Sequence, residues 1–596
     1  MSAGLADNER PAGERPAAPQ FGSDIVAGTL RDLHIPYIAL NPGASFRGLH
    51  DSLVNYLGNR APQLLLCLHE EHAVAIAQGY AKVTGKPLAV AVHANVGLMH
   101  ATMAIFNAWC DRMPMIVLGA TGPVDADMRR PWIDWIHTAR DQGALVRSYV
   151  KWDDQPASPA AARESLLRAA WLAQTAPQAP VYVNLDAHMQ EAPLAAALPA
   201  IDAARYVPDV EPQVSPTALA NAAALLNAAR RPLILMGRVS RDQSAWDARV
   251  ALAEALQADV VTDLKVGAAF PTDHPLHVDA PSVILPAVAA QSIAAADVIL
   301  ALDWVDLAGT LRTACGGEPA AKVISVSLDH RLHNGWSMDH QGLAPVDVAI
   351  EATPDGAVPA LAAMIVQRTP DVPQRAARTV SAFVANHDDS ELTTDDIALV
   401  LREAVGTRRF ALAHLPLSWN GASWPLRAPL EFLGSDGGGG IGAGPGITVG
   451  AALALRGTSV LPLAVCGDGD FLMGATSLWT AVHYRVPLLL VVANNRSFYN
   501  DEVHQERMAR ARHRPVENKW IGQRMTDPDI DLAGLARAQG ATAFGPIIDR
   551  AQLAVAIASS IAAVDAGQVV VVDVRVKPGY TPAMAAGLTP TGSTRA

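Results

Sequence analysis

Residues 465–500 read VCGDGDFLMGATSLWTAVHYRVPLLLVVANNRSFYN, and this stretch decides the fold. Two short apolar runs, 460–466 and 487–493, are rich in Val and Leu and bounded by turn residues, the pattern of strands buried on both faces of a parallel sheet. Between them ATSLWTAVHYR carries apolar residues at helical spacing, so the whole is a βαβ unit. The crossover makes the strands parallel and brings their carboxyl ends to one sheet edge, the edge at which open α/β folds bind ligands. A glycine-flanked aspartate follows the first run there, and an Asn-Asn pair follows the second.

That geometry predicts that Asp468 and Asn495 are neighbours. A carboxylate, an amide oxygen and the backbone carbonyl of Ser497 suit a hard cation such as Mg²⁺, which completes its octahedron with phosphate oxygens and water. Gly467 and Gly469 remove side chains where backbone approaches a phosphate, with Asp470 alongside, and a helix starting near Gly474 adds amide donors. The stretch reads as a metal-diphosphate cradle. Taken singly, Gly-Asp-Gly and Asn-Asn are ordinary turn residues; their pairing at the ends of adjacent strands carries the inference.

With 596 residues, half of them apolar, the chain has material for several domains with a large core. Charged residues make up 17% and the net charge is -12, which argues against a nucleic-acid platform. The four cysteines, Cys67, Cys110, Cys315 and Cys466, form no CxxC pair and support neither a disulfide framework nor a zinc site. The opening residues, MSAGLADNERPAGERPAAPQ, predict a flexible tail rather than a signal peptide. No apolar run reaches the ~18 residues that span a bilayer. The expectation is a cytoplasmic protein without a membrane partner.

Strand-like runs alternate with helical stretches three times over. A tail at 1–20 precedes a first α/β domain at 21–195, with YIALNPG, QLLLCLHE, PLAVAVHA, MPMIVLGA and PVYVNLDA as strands. After a proline-rich passage a central domain occupies 208–370, with RPLILMGR, ADVVTDL, ADVILALDW and AKVISVSL. A helical connector leads to a third domain at 390–580, and 581–596 form a second tail. The predicted fold class is α/β, three doubly wound parallel-sheet domains.

A second motif lies in the first domain. HEEHAVAIAQGYAKVTG follows a strand and opens a helix, with Ala73, Ala77 and Ala81 at four-residue spacing so that another backbone packs close, and Glu70 at its beginning. Acids favour helix N-termini through the macrodipole alone. Combined with the cradle in another domain, however, the pattern resembles the thiamine diphosphate (ThDP) dependent enzymes of the acetolactate synthase, benzoylformate decarboxylase and 2-hydroxyacyl-CoA lyase type. The resemblance covers nearly the whole chain and includes GGIGAGPGITVGAALA from Gly439, NPGASFRGL from Asn41 and NAWCDRMPMIV from Asn107.

The resemblance implies ThDP and Mg²⁺ as cofactors, three domains that bind pyrimidine, occupy the centre and bind diphosphate, and a homodimer or homotetramer with the site between chains. It implies that Glu70 contacts the aminopyrimidine and drives the tautomer that deprotonates the thiazolium. Ile441, beside Gly440, props the cofactor into its bent shape, and Asp468, Asn495 and Ser497 hold the metal. His93 matches a proton-shuttling histidine, although Asn95-Val96-Gly97 stands where many members have Gly-Pro-Gly. Asp501 and Glu502 are candidates for an acid over the reacting carbon, with a solvated turn as the alternative; His69 and His72 are equally open between structure and catalysis. LDWVDLAGTL lacks the arginine pattern of flavin-holding members, so no flavin is expected. The basic run HQERMARARHRP, with Arg507, Arg510, Arg512 and Arg514, is either a solvated helix face or a holder of an anionic substrate, an acyl-CoA among the candidates. The leading expectation is a 2-hydroxyacyl-CoA lyase. A 2-keto acid decarboxylase or carboligase is the alternative, and a non-catalytic relative the third reading.

Overall fold

The computed structural model describes residues 9–332, 342–368, 391–581 and 584–585. The start of the N-terminal tail, the domain limits at 370 and 390 with the connector between them, and most of the tail from 581 lie outside these residues.

Three parallel sheets account for the predicted strands. The first contains β1 (Tyr37–Leu40), β2 (Gln63–Leu66), β3 (Ala89–Val92), β4 (Met115–Thr121), β5 (Asp153–Asp154) and β6 (Pro180–Asp186) in the order β2-β1-β3-β4-β6-β5. The second contains β7 (Pro232–Met236), β8 (Asp259–Val261), β9 (Val298–Leu302), β10 (Lys322–Val326) and β11 (Val348–Ile350) in the order β11-β10-β9-β7-β8. In the third, β12 (Phe410–Leu412), β13 (Leu461–Gly467), β14 (Leu488–Asn494), β15 (Thr542–Ile547) and β16 (Val569–Arg575) run β12-β13-β14-β16-β15. The chain is doubly wound: from β1 it adds β2 on one side and β3 on the other. Five strands have no counterpart among the runs read from the sequence: β5 is a pair of aspartates at a sheet edge, β11 and β12 have three residues each, and β15 and β16 lie beyond the βαβ unit.

β13 and β14 are buried along almost their whole length and pair in register from Leu463 opposite Leu489 to Gly467 opposite Ala493. Such strands need apolar side chains on both faces, which is why they read as continuous Val/Leu runs. The helix after β13 begins at Asp468 itself, not near Gly474; Asp468–Gly474 forms one helix and Ser477–His483 the next. The turn immediately after the strand therefore presents helix-start amides to the sheet edge.

The first and third sheets share one core. Val90 and Val117 belong to the same buried cluster as Val449, Leu490 and Val492, and the join runs through two helices, Glu70–Thr84 and Gly444–Ala454. A Cβ on Gly79 would stand 2.0 Å from the Ile447 carbonyl oxygen, and one on Gly450 would stand 1.9 Å from that of Ile76. Backbone thus packs on backbone, as the small-residue pattern predicts, although the closest approaches fall at Gly79 and Gly450 rather than along the Ala73, Ala77, Ala81 row. The central sheet has cores of its own.

Candidate active site

At the joint edge of β13 and β14, Asp468 is buried with its Oδ1 accepting from the Gly469 N–H at 2.9 Å. Its Oδ2 is buried and has no hydrogen-bond partner. Burial lifts the carboxyl to about 6, against the backbone N–H groups of Gly469, Arg496 and Ser497, which favour the charged form. The two asparagines divide: Asn494 donates to Asp573 Oδ1 at 2.8 Å and ties β14 to β16, whereas Asn495 turns its Oδ1 back to accept from the Ser497 N–H at 2.8 Å. An added Cβ on Gly467 or on Gly439 would meet open space. Gly469 serves a different end from the one its sequence position predicts, because a side chain there would strike the Phe498 ring at 2.6 Å. An orphaned carboxylate oxygen, an amide oxygen one strand away and glycine-lined space are hard-donor chemistry that suits Mg²⁺ and a diphosphate.

The loop carrying Ile441 is held from two sides. Asp470 Oδ1 accepts from the N–H of Gly442 at 2.6 Å and of Gly444 at 3.3 Å, so Asp470 fixes the loop rather than facing the cradle. From the first sheet's helix Ala94–Cys110, the Asn107 amide donates to the Gly440 carbonyl at 3.2 Å. The Ile441 side chain stands exposed between these anchors. Upstream, buried Lys82 donates to the carbonyls of Leu433 and Ser435 at 3.0 and 2.7 Å and pairs with Asp111, while Gln78 donates to the Asp436 carbonyl at 2.8 Å. Sequence reasoning missed Lys82, Gln78 and Asn107, since each lies more than three hundred residues from the loop that it holds.

Glu70 opens its helix beneath the N-cap His69, whose ring accepts from the Glu71 N–H at 3.2 Å. Glu70 is buried; its Oε2 lies 3.1 Å from His100 Nδ1, and a Cβ on Gly97 would stand 2.9 Å from its Oε1. Gly97, the last residue of Asn95-Val96-Gly97, therefore keeps room for the carboxylate. His93 caps the next helix with its Nδ1 2.7 Å from Ser45 Oγ and its ring 4.7 Å from that of His137. Burial, and then the neighbouring His137, lower the affinity of His93 for a proton, partly offset by Glu70. His69 stacks on His100. His72 reaches across the join: its Nε2 lies 3.4 Å from the Met473 carbonyl and its Nδ1 3.0 Å from Thr476 Oγ1, and burial lowers its pKa to about 4. His100 and His137 are additions to the site that no motif announced, and Ser45 lies within the NPGASFRGL stretch without a role having been read for it.

The acids beyond the cradle separate. Glu502 is buried and its Oε1 accepts from Ser497 Oγ at 2.6 Å and Arg524 Nε at 3.1 Å, whereas Asp501 is exposed. Of the basic run, Arg507 donates to the Ala585 carbonyl and Arg510 pairs with Glu506, leaving Arg512 and Arg514 on the surface.

Three doubly wound parallel sheets, with polar groups gathered at the carboxyl ends of the first and third, have the form of an α/β protein that binds a ligand at those edges. Residues 21–145 match the thiamine pyrophosphate enzyme N-terminal TPP binding domain, 219–336 the central domain and 417–574 the C-terminal TPP binding domain. The chain belongs to the thiamine pyrophosphate (thiamine diphosphate) enzyme family, and is an enzyme that cleaves or forms a carbon–carbon bond. It is 28% identical to a probable 2-ketoarginine decarboxylase of Pseudomonas aeruginosa over 82% of this chain and 83% of that one. It is 26% identical to benzoylformate decarboxylase of the same organism over 73% and 79%, and 25% identical to the acetolactate synthase isozyme 1 large subunit of Escherichia coli over 81% and 83%. The fold matches that of benzoylformate decarboxylase from Polynucleobacter necessarius with a TM-score of 0.75 at 21% identity, over 95% of this chain and all of the other. A 4-hydroxybenzoylformate decarboxylase from Rhodococcus jostii RHA1 gives 0.73, also at 21%, over 94% and 99%. No helix among the described residues is long and apolar enough to cross a membrane.

Proposed function

We propose that the protein is a Mg²⁺- and ThDP-dependent 2-keto acid decarboxylase or carboligase. The observation that carries this reading is the buried, unpartnered Oδ2 of Asp468 beside Asn495 at the edge of paired parallel strands. Similarity over 73% to 82% of the chain to a 2-ketoarginine decarboxylase, a benzoylformate decarboxylase and an acetolactate synthase supports the substrate class.

Asp468 and Asn495 would hold the metal, with the Ser497 carbonyl as third donor, and Gly439 and Gly467 would leave room for the diphosphate, whereas Gly440 makes room for Met103. Ile441 would brace the cofactor. When bound, ThDP supplies a carbon nucleophile that adds to the substrate carbonyl and accepts the electrons released by C–C cleavage. Glu70 would present its carboxyl to the pyrimidine and hold a proton there, its position kept by Gly97 and His100. His93, kept short of a proton by burial, is suited to accept one beside the reacting carbonyl, with Ser45 fixing its ring. Glu502, committed to Ser497 and Arg524, would stiffen the turn after Asn495 rather than transfer protons.

The 2-hydroxyacyl-CoA lyase reading rests on the basic run, and with Arg507 and Arg510 occupied within the chain it keeps only Arg512 and Arg514. Purified protein with ThDP and Mg²⁺, offered panels of 2-keto acids and 2-hydroxyacyl-CoAs, tests the choice. CO₂ release from a keto acid is expected; formyl-CoA release without keto acid turnover would replace this reading with the lyase.

A further inference from the structure

A second cluster of ligating groups lies at the carboxyl edge of the third sheet, beside the cradle. His414 follows β12, Cys466 lies in β13, and Asp470 is in the first turn of the helix after it. All three are buried. The Cys466 Sγ is 3.9 Å from His414 Nδ1, which is 3.8 Å from Asp470 Oδ2, and the ligand atoms all lie within 4.8 Å of one another. Asp470 Oδ2 is buried without a hydrogen-bond partner, although Oδ1 of the same carboxylate is fully used by the Gly442 and Gly444 amides. Glycine at 444 leaves the space, since a Cβ there would lie 3.0 Å from Cys466 Sγ.

We propose that His414, Cys466 and Asp470 form a buried zinc site, separate from the magnesium donors Asp468 and Asn495. A thiolate, an imidazole and a carboxylate are a borderline-soft set that Zn²⁺ takes and Mg²⁺ does not. With Zn–N near ~2.0 Å and Zn–S near ~2.3 Å, tetrahedral angles place donors about 3.3–3.6 Å apart. The two spacings from His414 Nδ1, 3.9 and 3.8 Å, lie within about 0.5 Å of these values, the remaining pair lies within 4.8 Å, and ligation would take Nδ1 from the Val465 carbonyl 3.4 Å away. Charge points the same way. Asp436, a further buried carboxylate, lies beside His414 and Asp470. The other cation near it, Lys82, is already paired with Asp111. A divalent ion would compensate these acids and, through Asp470, lock the amides of the loop that carries Ile441.

The test uses the full-length protein and does not depend on turnover. Elemental analysis after gel filtration should find about one zinc per chain in the wild type. His414→Gln and Cys466→Ser should lower zinc affinity by about tenfold or more, since loss of outer partners alone costs ~10–100-fold, and Asp468→Ala should leave zinc in place. Co²⁺ added to chelator-treated wild type should develop a near-ultraviolet thiolate-to-metal absorption that Cys466→Ser lacks. Neither zinc nor the cobalt absorption in the wild type, or an absorption that survives Cys466→Ser, or zinc lost with Asp468→Ala, overturns the proposal. The wild-type readings require no variant to fold. ThDP binding, titrated separately, reports on the functional reading whatever the zinc result.

Discussion

Glu70 has the location of an ordinary helix-capping acid, but its neighbours argue for more. Capping needs only an exposed carboxylate near free amides, whereas this one is buried, faced by His100 and given room by Gly97. Glu70→Gln should therefore keep the fold and ThDP affinity while lowering turnover by about 10² or more, the range for positioned acid-base groups. A variant with near wild-type turnover would reduce Glu70 to a cap. Asp468→Ala should weaken Mg²⁺ and ThDP together, because a lost oxygen ligand is replaced by untethered water; calorimetry showing unchanged ThDP affinity would remove Asp468 from the site. His72 gives a pH dependence. Its folded pKa, about 4, lies below the ordinary value of 6.5, so the unfolded chain binds the proton first as pH falls. Stability is unaffected above about 6.5 and is lost progressively towards pH 4, by ~3 kcal/mol in all at 1.36 kcal/mol per unit. Denaturation of wild type and His72→Asn across this window should show a difference that flattens at both ends; parallel curves would mean that His72 titrates normally. Glu70, Asp468 and Asn495 were legible because each follows an apolar run at a predictable sheet edge. The roles of Ser45, His100 and His137 were not, because nothing local ties these residues to Glu70 or His93 until β1, β3 and β4 become neighbours.

At the scale of elements, the site depends on two joins between the first and third sheets. One is the polar hold of Asn107, Gln78 and Lys82 on the chain leading to Ile441. The other is the helix crossing at Gly79 and Gly450, where backbone carbonyls occupy the space of the missing Cβ atoms. Carbonyl oxygens cannot rotate away as side chains do, so Gly450→Ala should force the helices apart and cost about 1–3 kcal/mol, as overpacking does. A denaturant midpoint unchanged from wild type would mean that the helices do not cross at this distance. Hydrophobic runs revealed the long strands of the first and central sheets and, in the third, β13 and β14, because parallel strands buried on two faces admit little else; β15 and β16 were not read from the sequence. The run of turn residues after Cys466 hid the immediate start of the Asp468–Gly474 helix. Edge strands β5 and β11 were invisible for the converse reason: they are too short, or too polar, to carry a pattern.

Over the whole molecule, apolar side chains remain uncovered around both halves of the site. Leu68, Val96 and Met99 flank Glu70, Ile441 and Met473 stand on the third sheet's side, and Trp132 and Trp135 are 68% and 77% exposed on the loop that carries His137. Isolated exposed apolar residues need no explanation, but a group of this size around a functional edge marks a surface that something covers. A second copy of the chain is the economical occupant, because a two-fold axis would set the Glu70 edge of one subunit against the Asp468 edge of its partner and yield two equal sites. The shared core of the first and third sheets fixes those edges within each chain, so the halves of one site need not come from the same subunit. Subunit mixing decides the matter. Glu70→Gln and Asp468→Ala chains are each expected to be nearly inactive alone; if sites form between chains, a mixed dimer combines one intact Glu70 with one intact Asp468 and regains one working site of two. Activity should then rise on mixing in proportion to the hybrid fraction measured by mass. Hybrids present in quantity yet inactive would show that each site is built within one chain, and the apolar rim would then need another occupant.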